Sequence, residues 1–154
     1  MDANAYSKRT DKVIAILEAD ARLYEDMGGA QITIRKGVPD ERLFTSSGHY
    51  IFVHWENTST VELRGWSGGA KSDHTLLVKV WYVINDYSSE PAAEARFEKL
   101  AVNIYRILAD NPQVANHWIN MQATSGGSTI LQPAVDAFWR VGAWNVRMFF
   151  TESV

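Results

Sequence analysis

Apolar and polar residues recur with helical spacing over the first part of the chain and predict an amphipathic helix from Ser7 to about Glu25. The apolar stripe of this helix comprises Val13, Ile16, Leu17, Ala21 and Tyr24. The Ser7 hydroxyl is suited to accept a hydrogen bond from a backbone N–H group that is unpaired at the start of a helix. Gly28 and Gly29 follow the stripe and tolerate positive φ, so we expect the helix to end before them.

The next segments have the features of β-strands. Residues Gln31–Lys36 alternate apolar with polar side chains, and the sequence GVPD at 37–40 supplies turn residues that end this strand. Tyr50–Trp55 is aromatic and β-branched at consecutive positions, which predicts a strand covered on both faces. The segment Asn57–Asp73 is polar and glycine-rich, and we expect only a short pairing stretch within it, at Val61–Leu63.

The most pronounced strand pattern is Thr75–Ile84, with the sequence TLLVKVWYVI. Its length indicates a central position in the sheet or a hairpin arm that extends beyond the core. A second helix is predicted from about Ser89, because Pro91 suits a first turn and Glu90 and Glu94 favour its positive end. Its apolar stripe comprises Phe97, Leu100, Ala101, Ile104, Tyr105 and Leu108, and the pair Asn111-Pro112 stops it.

The rest of the chain predicts three further strands, at His117–Ala123, Ile130–Trp139 and Trp144–Thr151. Gly126-Gly127 and Gly142 are the predicted turns between them. The element order therefore predicts an α+β fold: a mixed, mainly antiparallel sheet with two helices packed on one face. All 154 residues are expected to form a single domain, since no linker or repeat divides the chain.

Composition narrows the class of protein further. The net charge is −3 and the 15 Lys and Arg residues are dispersed, so the chain has no electrostatic footprint for nucleic acid. With no cysteine it has neither disulfides nor thiolate metal sites. It has no apolar run of membrane-spanning length and no secretory signal pattern, so we expect a soluble protein that is not secreted.

The sequence at residues 65–72 matches two catalytic motifs in part. GWSGG at 65–69 fits the nucleophile elbow of serine hydrolases, with Ser67 as nucleophile, and Asp73, His54, His74 or His117 would complete a nominal triad. The stretch 65–72 also approximates a phosphate-binding loop, with Ala70 in place of the second glycine and Lys71 as the cation. Both motifs need a helix next, whereas the pattern after Asp73 predicts a strand. We therefore interpret the segment as a Gly/Ser loop and expect no catalytic residue and no cofactor.

The histidines and carboxylates offer no metal or acid–base site. His49 and His54 are five residues apart on a predicted strand and so point to opposite faces. We expect the histidines to be partly exposed near strand ends, with no metal bound. No close pair of carboxylates lies on one predicted face, which leaves a glycosidase-like dyad without support.

Trp66 is the most informative aromatic residue for function, because a large apolar side chain in a polar segment is often a contact for a partner. Packing back onto its own domain is an equal alternative. The core is expected to contain the other aromatics Trp81, Phe97, Tyr105, Phe138 and Phe149. The candidate interface residues on this segment and the strand after it are Arg64, Trp66, Ser67, Lys71, His74, Lys79 and Trp81.

The pattern as a whole resembles the tail terminator, or tail completion, proteins of long-tailed bacteriophages, which include tail-to-head joining proteins. The resemblance covers nearly the whole chain, and four segments carry it: SKRTDKVIAILEADARL, YIFVHW with the polar stretch after it, HTLLVKVWYVINDYSSEPAAEARFEKL and WNVRMFFTE. These are patterns of length and hydrophobicity rather than invariant motifs. The family has no catalytic residues to transfer.

The resemblance implies a homo-oligomeric ring, usually of six subunits, that caps the tail tube and joins it to the head connector. Its partners would be the tail tube protein and a connector or neck protein, with DNA passing through the channel without specific binding and no membrane contact. The expected location is the virion tail or neck, after assembly in the host cytoplasm. A head-completion or neck protein of the same fold is the alternative, and a small serine hydrolase using Ser67 is the alternative from another class.

Overall fold

A computed structural model of the chain describes residues 4–40, 48–56, 61–64, 71–86, 89–134 and 137–153. The described elements are helix α1 (Ala5–Ala19), a 3₁₀ turn (Ala21–Tyr24), strands β1 (Ile32–Lys36), β2 (Gly48–Glu56), β3 (Val61–Arg64) and β4 (Lys71–Asp86), helix α2 (Glu90–Ala109), and strands β5 (Asn120–Ala134) and β6 (Ala137–Ser153). The predicted α+β class is confirmed.

The strands form one mixed sheet in the order β1-β2-β4-β6-β5, with β3 paired to β4 outside this path. Among the strands that the structure describes, only β1 and β2 pair in parallel; the other pairs are antiparallel, and the sheet is mixed and mainly antiparallel, as predicted. Strands β2 and β3 follow one another along the same edge of β4, because β6 occupies its other edge throughout. Glu56 at the end of β2 pairs with Leu77, and Val61 at the start of β3 pairs with His74. Glu56 and Val61 are thus five residues apart in the sequence, and their partners on β4 are three residues apart.

Strand β4 lies at the centre of the sheet. Of the two positions predicted for this strand, the central one is therefore correct, and the hairpin arm that extends beyond the core is not. Successive side chains point to opposite faces of a strand. Leu76, Val78 and Val80 are fully buried in the main core with residues of both helices. The opposite, helix-free face holds a smaller cluster of Phe52, Val83 and Trp139. Strand β2 is therefore covered at consecutive positions, as its sequence predicts.

Helix α1 is shorter than predicted and ends at Ala19 rather than near Glu25. Asp20 has extended backbone angles, and its carboxylate accepts a hydrogen bond from the Arg22 backbone N–H group at 3.0 Å. Such a local bond competes with helix continuation, and one 3₁₀ turn then buries Leu23. Ser7 lies inside the helix and Asn4 is the N-cap residue, so the predicted cap was wrong.

Helix α2 begins where the sequence predicts. The Ser89 hydroxyl accepts a hydrogen bond from the Ala92 backbone N–H group at 3.2 Å, and Pro91 lies in the first turn. Leu100, Ile104 and Leu108 are buried in the core. Tyr105 was predicted as core but is 45% exposed, and its ring packs on Trp144 at a centroid distance of 5.1 Å.

The C-terminal part forms two long strands rather than three short ones. Gly126-Gly127 is not a turn: Ser125 pairs with Trp144 and Ser128 with Gly142, which places a β-bulge between them. Gly142 is not a turn either, because it lies within β6 beside Tyr82. His117 also lies outside β5, in a turn closed by a bridge between Val114 and Trp118.

Candidate functional site

Of the predicted interface residues, the structure describes the side chains of His74, Lys79 and Trp81. Arg64 and Lys71 pair across β3 and β4. Trp66 and Ser67 lie between them, outside the described residues. His74 is buried on the helix-covered face at 2% exposure, so its side chain is not on the surface of the chain.

Lys79 and Trp81 project from β4 on the helix-free face. The Lys79 ammonium lies 4.4 Å from the centroid of the Trp81 ring, within the range of a cation–π interaction. Lys79 also lies 4.0 Å from the Glu56 carboxylate. Both side chains are partly exposed. Trp81 was predicted as a core residue and as an interface candidate; it lies at the border between the two.

The structural context of the two motifs at residues 65–72 is a pair of strands. Strand β3 ends at Arg64 and β4 begins at Lys71, so a strand follows the segment, as predicted. A nucleophile elbow and a phosphate-binding loop both need a helix at this point. Asp73 and His74 are consecutive on β4 and point to opposite faces of the sheet. They therefore cannot serve together as the acid and base of one catalytic triad.

The histidine predictions are confirmed in one respect and wrong in another. His49 and His54 lie on opposite faces of β2, because His49 shares its face with the core residues Ile51 and Val53. His49 and His74 are almost fully buried, where partial exposure was expected. No cluster of three metal-ligating side chains occurs in the part of the chain that the structure describes.

The best-organised polar cluster is centred on Arg9 of α1. Its guanidinium is buried and lies 2.5 Å from the Glu152 carboxylate. The Arg9 Nε group donates to the His117 carbonyl at 2.8 Å, and Nη1 donates to the Ala5 carbonyl at 3.0 Å. The guanidinium carbon also lies 3.8 Å from the centroid of the Phe150 ring. These contacts fix the N-terminal half of α1 to the end of β6.

His74 and Ser72 extend this cluster along β4. The imidazole of His74 stacks on Phe150 with ring centroids 4.9 Å apart and planes nearly parallel. The Ser72 hydroxyl lies 2.8 Å from His74 Nε2. Burial lowers the pKa of His74, the positive charge of Arg9 lowers it further, and the Glu152 carboxylate opposes both effects. The cluster therefore favours a neutral imidazole.

Two clefts adjoin this cluster on the outer side of α1. One, of about 500 Å³, is lined by Lys8, Arg9, residues 113–119 and residues 150–152. The other, of about 630 Å³, is lined by Asn4, Ser7, Lys8, Asp11, Lys12, Ala15, Lys36 and His117. They share Lys8 and His117 as lining residues, and together they are called the α1 groove.

A second charged feature lies at the start of α2. Glu90 and Glu94 both contact the guanidinium of Arg140, at 3.2 and 3.4 Å. The Arg140 side chain is almost buried, whereas the two glutamate side chains are about 60% exposed. Glu98 is also exposed, one further turn along the helix. We call Glu90, Glu94 and Glu98 the α2 acidic face.

Sequence reasoning missed both buried arginines. Arg9 carried a signal, because Ala5, Val13 and Leu17 place it on the buried stripe at a spacing of four residues. A charged residue on an apolar stripe indicates a specific partner. Arg140 carried none, since its carboxylate partners lie 46 and 50 residues away.

Comparisons with known proteins leave the family open. No protein-family model matches the chain, and no curated protein matches it. Among solved structures, it is similar to a chain of the "Virion of native gene transfer agent (GTA) particle", with 17% identity and a TM-score of 0.47, covering 90% of this chain and 92% of that one. At this identity and TM-score the likeness carries no argument about function.

Neither helix in the described part of the chain combines the length and the apolar character that a bilayer span requires.

Proposed function

We propose that the protein is a virion structural component that assembles into a closed homo-oligomeric ring at the end of a phage tail tube. In this role it caps the tube and presents a surface to the head connector, and DNA passes through its channel without specific binding. The proposal rests on the sequence resemblance to tail terminator proteins. It assigns the chain no catalytic role.

The observation that carries the proposal is the order of elements around β4. The segments that bear the resemblance form α1, β2, the β4–α2 unit and β6. The strands among these segments belong to one sheet, and both helices pack on the same side of it. This arrangement leaves the other side of the sheet to side chains such as Lys79 and Trp81, which we propose as partner contacts.

A ring requires that each subunit use two different surfaces, one for each neighbour, with a rotation that closes. The two sides of the sheet differ on this chain, since both helices pack on one side and Lys79 and Trp81 lie on the other. Arg64, Trp66, Ser67 and Lys71 remain proposed contacts next to β3 and β4. His74 is buried in the same strand, so we propose that it supports this region from inside.

Negative-stain electron microscopy of the purified protein tests the proposal. We expect particles of one size with an open centre, in class averages that show a single rotational symmetry. Particles without a central opening would contradict it. The hydrolase alternative is tested separately with Ser67→Ala: esterase activity that is present in the wild type and lost in this variant would support a catalytic role instead.

A further inference from the structure

We propose that the α1 groove of one copy binds the α2 acidic face of a second copy, so that subunits associate head to tail through opposite charges. The inference rests on the proposed function, because it assumes that the chain self-associates. It adds the surfaces that make the contact and the chemistry that selects them.

The α1 groove carries excess positive charge although the whole chain is acidic. Two of its cations are neutralised within the chain: Lys36 lies 2.6 Å from the Asp11 carboxylate, and Arg9 pairs with Glu152. Lys8 and Lys12 have no ion-pair partner among the described residues, which leaves the groove with a net charge of about +2. The groove thus offers two lysines to an anionic partner.

The α2 acidic face has the matching charge. Glu90 and Glu94 share the single guanidinium of Arg140, and Glu98 has no ion-pair partner among the described residues. The face therefore carries a net charge of about −2. All three glutamates are exposed, so a partner can reach them.

The spacing of the charges matches as well as their sign. Lys8 and Lys12 are four residues apart on α1, and Glu94 and Glu98 are four residues apart on α2. Four residues correspond to a rise of about 6 Å on either helix. Two helices laid side by side therefore bring both lysines opposite both glutamates. A phosphate backbone would find only two unpaired cations here, which disfavours nucleic acid as the occupant.

The two surfaces lie too far apart for one copy to pair them with each other. The α1 groove adjoins Glu152, which pairs with Ser72 near the start of β4. The α2 acidic face holds Arg140, which pairs with Ile84 near the end of β4. Twelve residues of strand separate them, a distance of about 40 Å. Pairing between copies joins two different surfaces, and in a head-to-tail arrangement it closes a ring if the rotation between neighbours allows it.

Charge reversal tests the contact. One variant carries Lys8→Glu and Lys12→Glu, and the other carries Glu94→Lys and Glu98→Lys. Each variant places like charges opposite each other, so we expect the self-association constant to fall by on the order of tenfold or more, measured by sedimentation velocity at low salt. Mixed in equal amounts, the two variants present opposite charges again and should co-assemble. Glu18→Lys, an exposed charge reversal elsewhere on α1, is the control and should assemble like the wild type.

The outcomes separate this inference from the proposed function. A wild type that assembles together with variants that assemble equally well would overturn the inference and leave the ring intact. A wild type that stays monomeric at every concentration would contradict both. If Lys8→Glu with Lys12→Glu abolished binding of a labelled DNA duplex without changing the mass of the assembly, the groove would be a nucleic-acid site and the inference would be wrong. Circular dichroism checks that each variant is folded, and the single changes Lys8→Glu and Glu98→Lys replace any double variant that is not.

Discussion

Arg9 links α1 to the end of β6 through a buried ion pair. Its guanidinium is 2% exposed, and it pairs with Glu152 and covers Phe150. Removing one partner of a buried ion pair leaves the other uncompensated, at a cost of about 3–5 kcal/mol. Because Glu152 retains some solvent contact at 16% exposure, we expect Arg9→Met to lower the free energy of unfolding by roughly 3 kcal/mol.

Urea denaturation measures this effect, with Glu18→Met as the matched control on the exposed side of the same helix. The control should leave the unfolding midpoint nearly unchanged. The double variant Arg9→Met with Glu152→Gln should lose less than the sum of the two single changes, because the partners are coupled. An Arg9→Met protein as stable as the control would show that the ion pair does not hold α1.

His74 predicts how stability depends on pH. Its pKa is lowered below the ordinary value of 6.5 by burial and by Arg9, so the unfolded chain binds a proton more readily than the folded one. The contribution of His74 to the free energy of unfolding is fully present above about pH 6.5. It is lost as the pH falls from there through the pKa of His74 in the folded state. The slope of the unfolding free energy between pH 8 and pH 5 should therefore be smaller in His74→Gln than in the wild type. Equal slopes would rule out a depressed pKa at His74.

At the scale of elements, β6 depends on a close approach that only glycine permits. A Cβ atom added at Gly142 would lie 2.5 Å from the Tyr82 ring, in the core between β4 and β6. Overpacking of this kind costs about 1–3 kcal/mol. We expect Gly142→Ala to lower the thermal midpoint, measured by calorimetry. Gly48→Ala in β2 is the control, because no described atom lies within 4 Å of its added Cβ; equal midpoints for the two variants would contradict the account.

The elements show what the sequence could predict and what it could not. Helix α2 was predicted well, because its cap, its Pro91 and its apolar stripe are local signals. The C-terminal strands were divided at Gly126 and Gly142, since glycine in a strand was interpreted as a turn. There it instead marks a bulge and a contact with Tyr82, which depends on pairing across the sheet. The sequence predicts that helix α1 continues past Asp20, because the helical spacing of apolar residues continues through Ala21 and Tyr24.

The candidate site was less predictable than the fold for the same reason. Lys79 and Trp81 follow from strand alternation, and their place on one face agrees with that pattern. The Arg9 cluster joins α1, β4, the turn at His117 and β6, so its residues come together only through tertiary structure. The α1 groove likewise combines segments far apart in the chain, whereas the α2 acidic face follows from the four-residue spacing of its glutamates on one helix.

At the scale of the whole molecule, the central claim is that the chain closes into a ring. Native mass spectrometry of the purified protein tests this claim, because it counts the subunits of the assembly. We expect one dominant species at six copies of 17.3 kDa, about 104 kDa, with few open intermediates since a closed ring leaves no unpaired surface. A monomer at every concentration, or an unbroken series of masses without a preferred size, would contradict it.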